Sequence, residues 1–151
     1  EAGALRQGTV KNSAAVGILL ESGIGDTMRL SLTADPVEEV HVAWELLAAL
    51  GMRRIKPELV SCPTCGRCGV DMIPIAEEVT KRLDGVRAPI SVAVMGCVVN
   101  GPGEARGVDL GVACGKGQAV LFENGNPIRK VPEDKIVDEL FAEIENRFGK
   151  K

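Results

Sequence analysis

The 151-residue sequence predicts an α/β protein built in two blocks, on three observations. Segments with helical apolar period alternate with short apolar runs of strand length. One such run, Ile90-Ser-Val-Ala-Val-Met-Gly96, is near-continuous, as expected of a strand covered on both faces. The order of elements differs between the blocks: residues 1–55 read helix–strand–helix, whereas 56–151 read strand, helix, strand, three strands and helix.

In the first block, residues 10–22 carry small and aliphatic side chains suited to a helix. Gly23 to Asp26 form a turn, and Met28-Arg-Leu-Ser-Leu32 alternates as a strand does. Asp35 stands as an N-cap, Pro36 fits the first helical position, and Glu38 completes a capping-box pattern. Val37, Val40, Trp44 and Leu47 share one face of the helix that follows, and Gly51 ends it. One strand between two helices cannot bury both its faces and both helix stripes. The block therefore needs neighbouring parallel strands that this sequence does not contain.

In the second block, residues 57–61 form a short strand and 72–84 a helix with Ile75, Val79 and Leu83 inward. After the 90–96 strand come strands at 109–113 and 118–123, an Asn124-Gly-Asn126 hairpin signal, and a strand over 127–131. The last helix starts near Pro132, buries Val137, Leu140, Ile144 and Phe148, and stops at Gly149. This is enough for a compact domain of its own.

Composition bounds the function. The net charge of −3, three Phe, one Trp and no Tyr argue against a nucleic-acid binder, which needs a basic face and stacking platforms. No apolar run approaches the ~20 residues of a membrane span, and no secretion signal is seen. The expected compartment is cytoplasmic. Glu1 in place of a start methionine reads as a piece of a longer chain.

The chemistry lies in the five cysteines, Cys62, Cys65, Cys68, Cys97 and Cys114. An odd count does not close into a disulfide set, and a reducing compartment keeps thiols free. Cys62-Pro-Thr-Cys65-Gly-Arg-Cys68 follows one strand, and Cys97 opens a glycine-rich loop after another. Two-residue spacing lets thiolates converge on one metal. A structural zinc site prefers two paired knuckles, and the second loop has one Cys and no His. Iron–sulfur is favoured over zinc, and spacing alone selects Cys62, Cys65, Cys68 and Cys97. Cys114, in a strand, reads as a core residue, and His41, the one histidine, as a solvated one.

Two segments add a resemblance. Ser61-Cys-Pro-Thr-Cys-Gly-Arg67 and Met95-Gly-Cys-Val-Val-Asn-Gly-Pro-Gly-Glu-Ala105 closely resemble the 4-hydroxy-3-methylbut-2-enyl diphosphate synthase family of the non-mevalonate isoprenoid pathway. Glu1-Ala-Gly3, residues 23–32 and Asp35-Pro-Val-Glu-Glu39 are similar to family segments as well. The resemblance implies a TIM barrel followed by an α/β domain similar to a sulfite/nitrite-reductase domain, carrying a 4Fe–4S cluster. Residues 1–55 would then be the last helix–strand–helix of the barrel, and 56–151 the cluster domain. The implied cluster ligands are Cys62, Cys65, Cys97 and Glu104. Family members commonly lack a cysteine at the position of Cys68, so the resemblance overrules spacing there.

The implied reaction is reductive opening of 2-C-methyl-D-erythritol 2,4-cyclodiphosphate with loss of water, by a homodimer fed by flavodoxin or ferredoxin. Arg29 and Ser31 match diphosphate-contacting positions, Glu1 a barrel carboxylate near the substrate, and Asn100 a residue beside the cluster. Lys11 and Arg67 read as solvated charges. With most of the barrel missing, the chain alone is expected not to turn over. The rival readings are an electron-carrier module with all-thiolate ligands, Cys68 included, and a structural zinc domain.

Overall fold

The computed structural model describes residues 3–98, 103, 105 and 107–149. The chain divides into two compact units, Glu1–Ile55 and Lys56–Lys151.

In the first unit, helix α1 spans Leu5–Glu21. It begins earlier than the predicted 10–22 because packing, not apolar period, selects its first turn. Gly8 is buried there, and a Cβ on it would stand 2.6 Å from Leu32 Cδ2, so only glycine lets the helix lie on that side chain. Helix α2, Pro36–Ala49, starts at the predicted cap and proline, the Asp35 carboxylate accepting the Val37 N–H at 2.9 Å, but without the expected capping box, since the Glu38 N–H donates to the Asp35 backbone carbonyl. The Glu38 carboxylate lies 3.9 Å from His41 Nδ1.

The buried face of α2 differs from the expectation. Val42 and Leu46 are buried, Trp44 and Leu47 are half-buried, and Val37 and Val40 are exposed by 56% and 54%. α2 is apolar nearly all round, so periodicity does not single out the buried side. Residues 28–32 are extended but have no ladder. An isolated parallel bridge joins Ala4 to Thr33, and Leu30 and Leu32 pack with Val42, Val16 and Ala43.

The second unit is a five-stranded sheet in the order β1-β2-β3-β4-β5, with β1 Glu58–Ser61, β2 Ser91–Met95, β3 Leu110–Cys114, β4 Gln118–Glu123 and β5 Asn126–Pro132. β1, β2 and β3 are parallel; β4 and β5 continue antiparallel. Helices α3 (Met72–Leu83) and α4 (Ile136–Phe148) share one apolar core with the sheet, α4 following a short 3-10 turn over Glu133–Lys135. Met72, Val79, Leu83, Ile136, Leu140 and Ile144 meet Val92, Val94, Leu110, Val112 and Cys114 there. Alternate residues Ala93, Met95, Ala113 and Phe122 form a second cluster with Ala105 and Val108. All five residues of β2 are therefore buried, as its near-continuous apolar run requires.

At the N-terminal edge of the parallel strands, Asp109 Oδ2 accepts both the backbone N–H and the hydroxyl of Ser91, at 2.7 and 2.8 Å. This satisfies the buried polar Ser91. Arg129 and Arg147 on the other side pair with Glu123, Glu139 and Glu143, tying α4 to β4 and β5. Exposed pairs of this kind contribute little each. Among the described residues no helix is long and apolar enough to cross a membrane.

The second cluster depends on Gly111, whose register partner is Phe122. A Cβ there would fall against the Phe122 ring, 2.7 Å from Cε2, and 3.0 Å from Ala93 Cβ. Gly111→Ala is expected to destabilise the chain by ~1–3 kcal/mol through overpacking, read as a lower urea midpoint. An unchanged midpoint would show that the ring can move aside.

A candidate metal centre at one sheet edge

The parallel register sets the geometry. Ser61 pairs with Val94, and Met95 with Ala113. The Cys62 N–H extends the ladder one step, donating to the Val94 carbonyl at 2.9 Å. Cys62 leaves β1, Gly96-Cys97 leaves β2, and Cys114 ends β3, all at the C-terminal edge of three adjacent strands. Such an edge is the usual ligand side of a parallel α/β sheet.

The chain after Cys62 folds into a tight turn. Cys68 N–H donates to the Cys65 carbonyl at 3.0 Å. Thr64, between the first two cysteines, holds φ at 66°. A β-branched residue in this left-handed region costs ~1–3 kcal/mol and persists only where its surroundings impose it. Cys65 is exposed; Cys62, Cys68 and Cys97 are half-buried. All five thiols are free of disulfides.

Among the described residues, no three His, Cys, Asp or Glu side chains form a ready-made metal site. Asn100 and Glu104 lie outside the described residues, and so does Glu1. What does fit a thiolate-bound metal is the donor chemistry. Cys62, Cys65 and Cys97 are reduced sulfurs on two loops of one edge, and the chain's single histidine sits in the other unit. Soft sulfur donors of this kind select iron–sulfur clusters or zinc rather than magnesium or calcium.

Cys68 and Cys114 are differently placed. The Cys68 thiol donates to the Val70 carbonyl at 3.2 Å and packs on the α3/α4 core. Cys114 belongs to that core and is fully buried. Its thiol is pushed up to about 12, first by burial and then by the neighbouring Cys68, Glu133 and Cys62.

In the first unit, Leu30 and Leu32 face the α1 and α2 side chains, leaving alternate Arg29 exposed and Ser31 half-buried. Ser31 is held by a residue that sequence reasoning missed. Asn12 of α1 donates from Nδ2 to the Ser31 carbonyl at 3.0 Å and accepts the Ser31 N–H on Oδ1 at 3.3 Å. Glu39 Oε1 accepts the next N–H, that of Leu32, at 2.9 Å. These side chains stand in for a missing ladder. No sequence signal marks Asn12, because its pairing with Ser31 spans 19 residues. Lys11 and Arg67 are exposed. A groove of about 880 Å³ between α3 and α4, lined by Arg82, Val86, Phe141 and Phe148 among others, includes none of these candidate residues.

Comparison with known proteins bears on both units. The family model for the GcpE protein C-terminal domain matches residues 58–146, more than half of the chain. The chain belongs to the GcpE family. The GcpE TIM-barrel domain matches residues 1–44. Among curated GcpE relatives, the 4-hydroxy-3-methylbut-2-en-1-yl diphosphate synthase (flavodoxin) of Geobacter sulfurreducens is 56% identical over 151 residues, all of this chain and 43% of its own length. The proteins of the same name from Aquifex aeolicus and Corynebacterium glutamicum are 56% and 57% identical over 146 and 143 residues, 97% and 95% of this chain and 41% and 38% of theirs. The chain thus spans about two fifths of the length of these relatives.

Thiol reactivity tests the burial assignments. With Cys114 pushed up to about 12, its thiolate fraction at pH 8 is roughly one in ten thousand. In the folded, metal-free chain, iodoacetamide at pH 8 should therefore modify exposed Cys65 readily and leave Cys114 intact until denaturant is added. Peptide mass spectrometry reads the order. Early modification of Cys114 would contradict the placement of β3.

Proposed function

We propose that this chain is the C-terminal part of a 4-hydroxy-3-methylbut-2-en-1-yl diphosphate synthase. In this reading Lys56–Lys151 is its cluster-binding domain, of the sulfite/nitrite-reductase type, and Glu1–Ile55 the last piece of its barrel. The observation that supports this is that the Cys62–Cys65 turn and Cys97 leave adjacent parallel strands β1 and β2 at the same edge, inside the segment matched by the family. The ligands we assign are Cys62, Cys65, Cys97 and Glu104. A 4Fe–4S cluster, when bound there, supplies single electrons and an iron with an exchangeable position. The reaction takes up two electrons and two protons, breaks the ring carbon–oxygen bond and the carbon–oxygen bond of the hydroxyl that leaves as water, and forms one carbon–carbon double bond.

The chain's own residues do the rest. The Arg29 guanidinium offers paired N–H donors to diphosphate oxygens, the geometry to which guanidinium is suited. The Ser31 hydroxyl supplies a further donor two residues on, from the same face of the extended segment. Asn12 and Glu39 hold the backbone of that segment, so the donors are set before substrate arrives. Glu1 and Asn100 are assigned beside the substrate and the cluster. A Glu104 carboxylate is a harder, more exchangeable partner for iron than a thiolate. The relatives' names identify flavodoxin as the donor for those enzymes, and we assign an electron donor of that kind, ferredoxin being the alternative, to a homodimer in the cytoplasm.

Turnover of the cyclic diphosphate with reduced flavodoxin tests the proposal. The chain alone, reconstituted anaerobically with iron and sulfide, should show no turnover. The same sequence extended to the length of its relatives should be active. In that extended protein Cys62→Ser or Cys97→Ser should abolish turnover. Arg29→Ala should lower kcat/KM by about two orders of magnitude, the loss of a ~3 kcal/mol charge-assisted contact. An extended, cluster-loaded protein that leaves the cyclic diphosphate unconsumed would defeat the proposal.

A further inference from the structure

We infer that the Cys68 sulfur is a positioning group rather than a ligand: seated on Gly96, it joins the Cys62–Cys65 turn to the strand end that carries Cys97. This rests on the ligand reading of those three cysteines. Spacing alone makes Cys68 a ligand of a Cys-x-x-Cys-x-x-Cys run. The geometry points the other way. A Cβ on Gly96 would stand 2.5 Å from Cys68 Sγ, 3.2 Å from Met72 Cγ and 3.4 Å from Cys68 Cβ. Cβ atoms essentially never approach a neighbour that closely, so the sulfur occupies the space that any larger residue at 96 would need. The thiol also donates to the Val70 carbonyl, which completes its small nook between β2 and the start of α3.

The backbone repeats the contact. Gly69 N–H donates to the Gly96 carbonyl at 2.9 Å, next to the sulfur. On its other side Gly69 lies flat on the end of β3, where a Cβ would be 3.3 Å from the Gly115 carbonyl carbon and 3.4 Å from Lys116 N. The cysteine turn thus meets the ends of β2 and β3 through Gly69, Gly96 and Gly115. Cys68 is the side chain that fills the gap between the turn and Gly96. To bind a metal it would have to leave that gap and break its bond to Val70. Cysteine suits the place because its sulfur is small and apolar.

The contact predicts a rescue. The variants are made in this chain, reconstituted anaerobically with ferrous iron and sulfide. Iron and sulfide per chain, the EPR spectrum after reduction, and the unfolding midpoint of the metal-free form are then measured. Gly96→Ala drives its methyl into the sulfur and should lower cluster content several-fold. Cys68→Ala should keep the wild-type cluster content and EPR line shape, but release iron to a chelator several-fold faster. In Cys68→Ala/Gly96→Ala the methyl takes the place of the sulfur, and cluster content should return close to wild type.

Loss of the cluster in Cys68→Ala with an unchanged metal-free midpoint would make Cys68 a ligand and overturn the inference. A double variant no better than Gly96→Ala would overturn it too. If Gly96→Ala fails to fold, the Cys68→Ala arm still decides between ligand and positioning group. Full cluster content in Cys62→Ser would instead defeat the ligand reading itself, whatever the Cys68 variants show.

Discussion

Parallel pairing of β1 with β2, Ser61 opposite Val94, is the constraint on which the cysteine edge depends. Side chains on a strand alternate, so a slip of one residue would exchange the two faces. The register is fixed because both faces of β2 are buried: Val92 and Val94 in the α3/α4 core, Ala93 and Met95 in the smaller cluster behind it. The same two clusters that make the sheet stable therefore decide where Cys62 and Cys97 emerge. Cys62 touches both. Stability and site geometry are one problem in this unit.

The edge is tight as well as aligned. Gly69 lies close to the Gly115-Lys116 backbone, Gly96 faces the Cys68 sulfur, and Thr64 accepts a left-handed φ in the cysteine turn. Glycine contacts and local strain cost stability, and the packed sheet beneath them supplies it. The first unit uses a different device for the same end. Its extended segment lacks a ladder among the described residues, and Asn12 and Glu39 hold residues 31 and 32 by side-chain hydrogen bonds.

Much of this was legible in the residues. A run apolar on both faces announced β2. Asp35-Pro36 announced the start of α2, and the Cys-x-x-Cys turn announced sulfur chemistry at a strand end. What stayed hidden was hidden for physical reasons. α1 begins earlier than its apolar pattern because Gly8 packs on Leu32, a contact between distant residues. The buried side of α2 could not be read from a helix that is apolar nearly all round, so Val37 and Val40 were assigned inward and lie exposed. Spacing along one dimension made Cys68 equivalent to Cys62 and Cys65, a reading that only the family resemblance set aside. Only the fold shows that its sulfur is occupied against Gly96. Asn12 carried no signal at all, since its partner Ser31 is 19 residues away.

The central claim is that this edge holds an iron–sulfur cluster through three thiolates and one oxygen ligand. Mössbauer spectroscopy of the chain reconstituted with iron-57 and sulfide tests it most directly, with zinc offered in competition. The account predicts a cubane in which one iron of about four has the larger isomer shift of oxygen ligation, and in which Glu104→Ala changes that iron alone. Four equivalent sulfur-ligated irons, or a chain that takes up zinc and no sulfide, would contradict it.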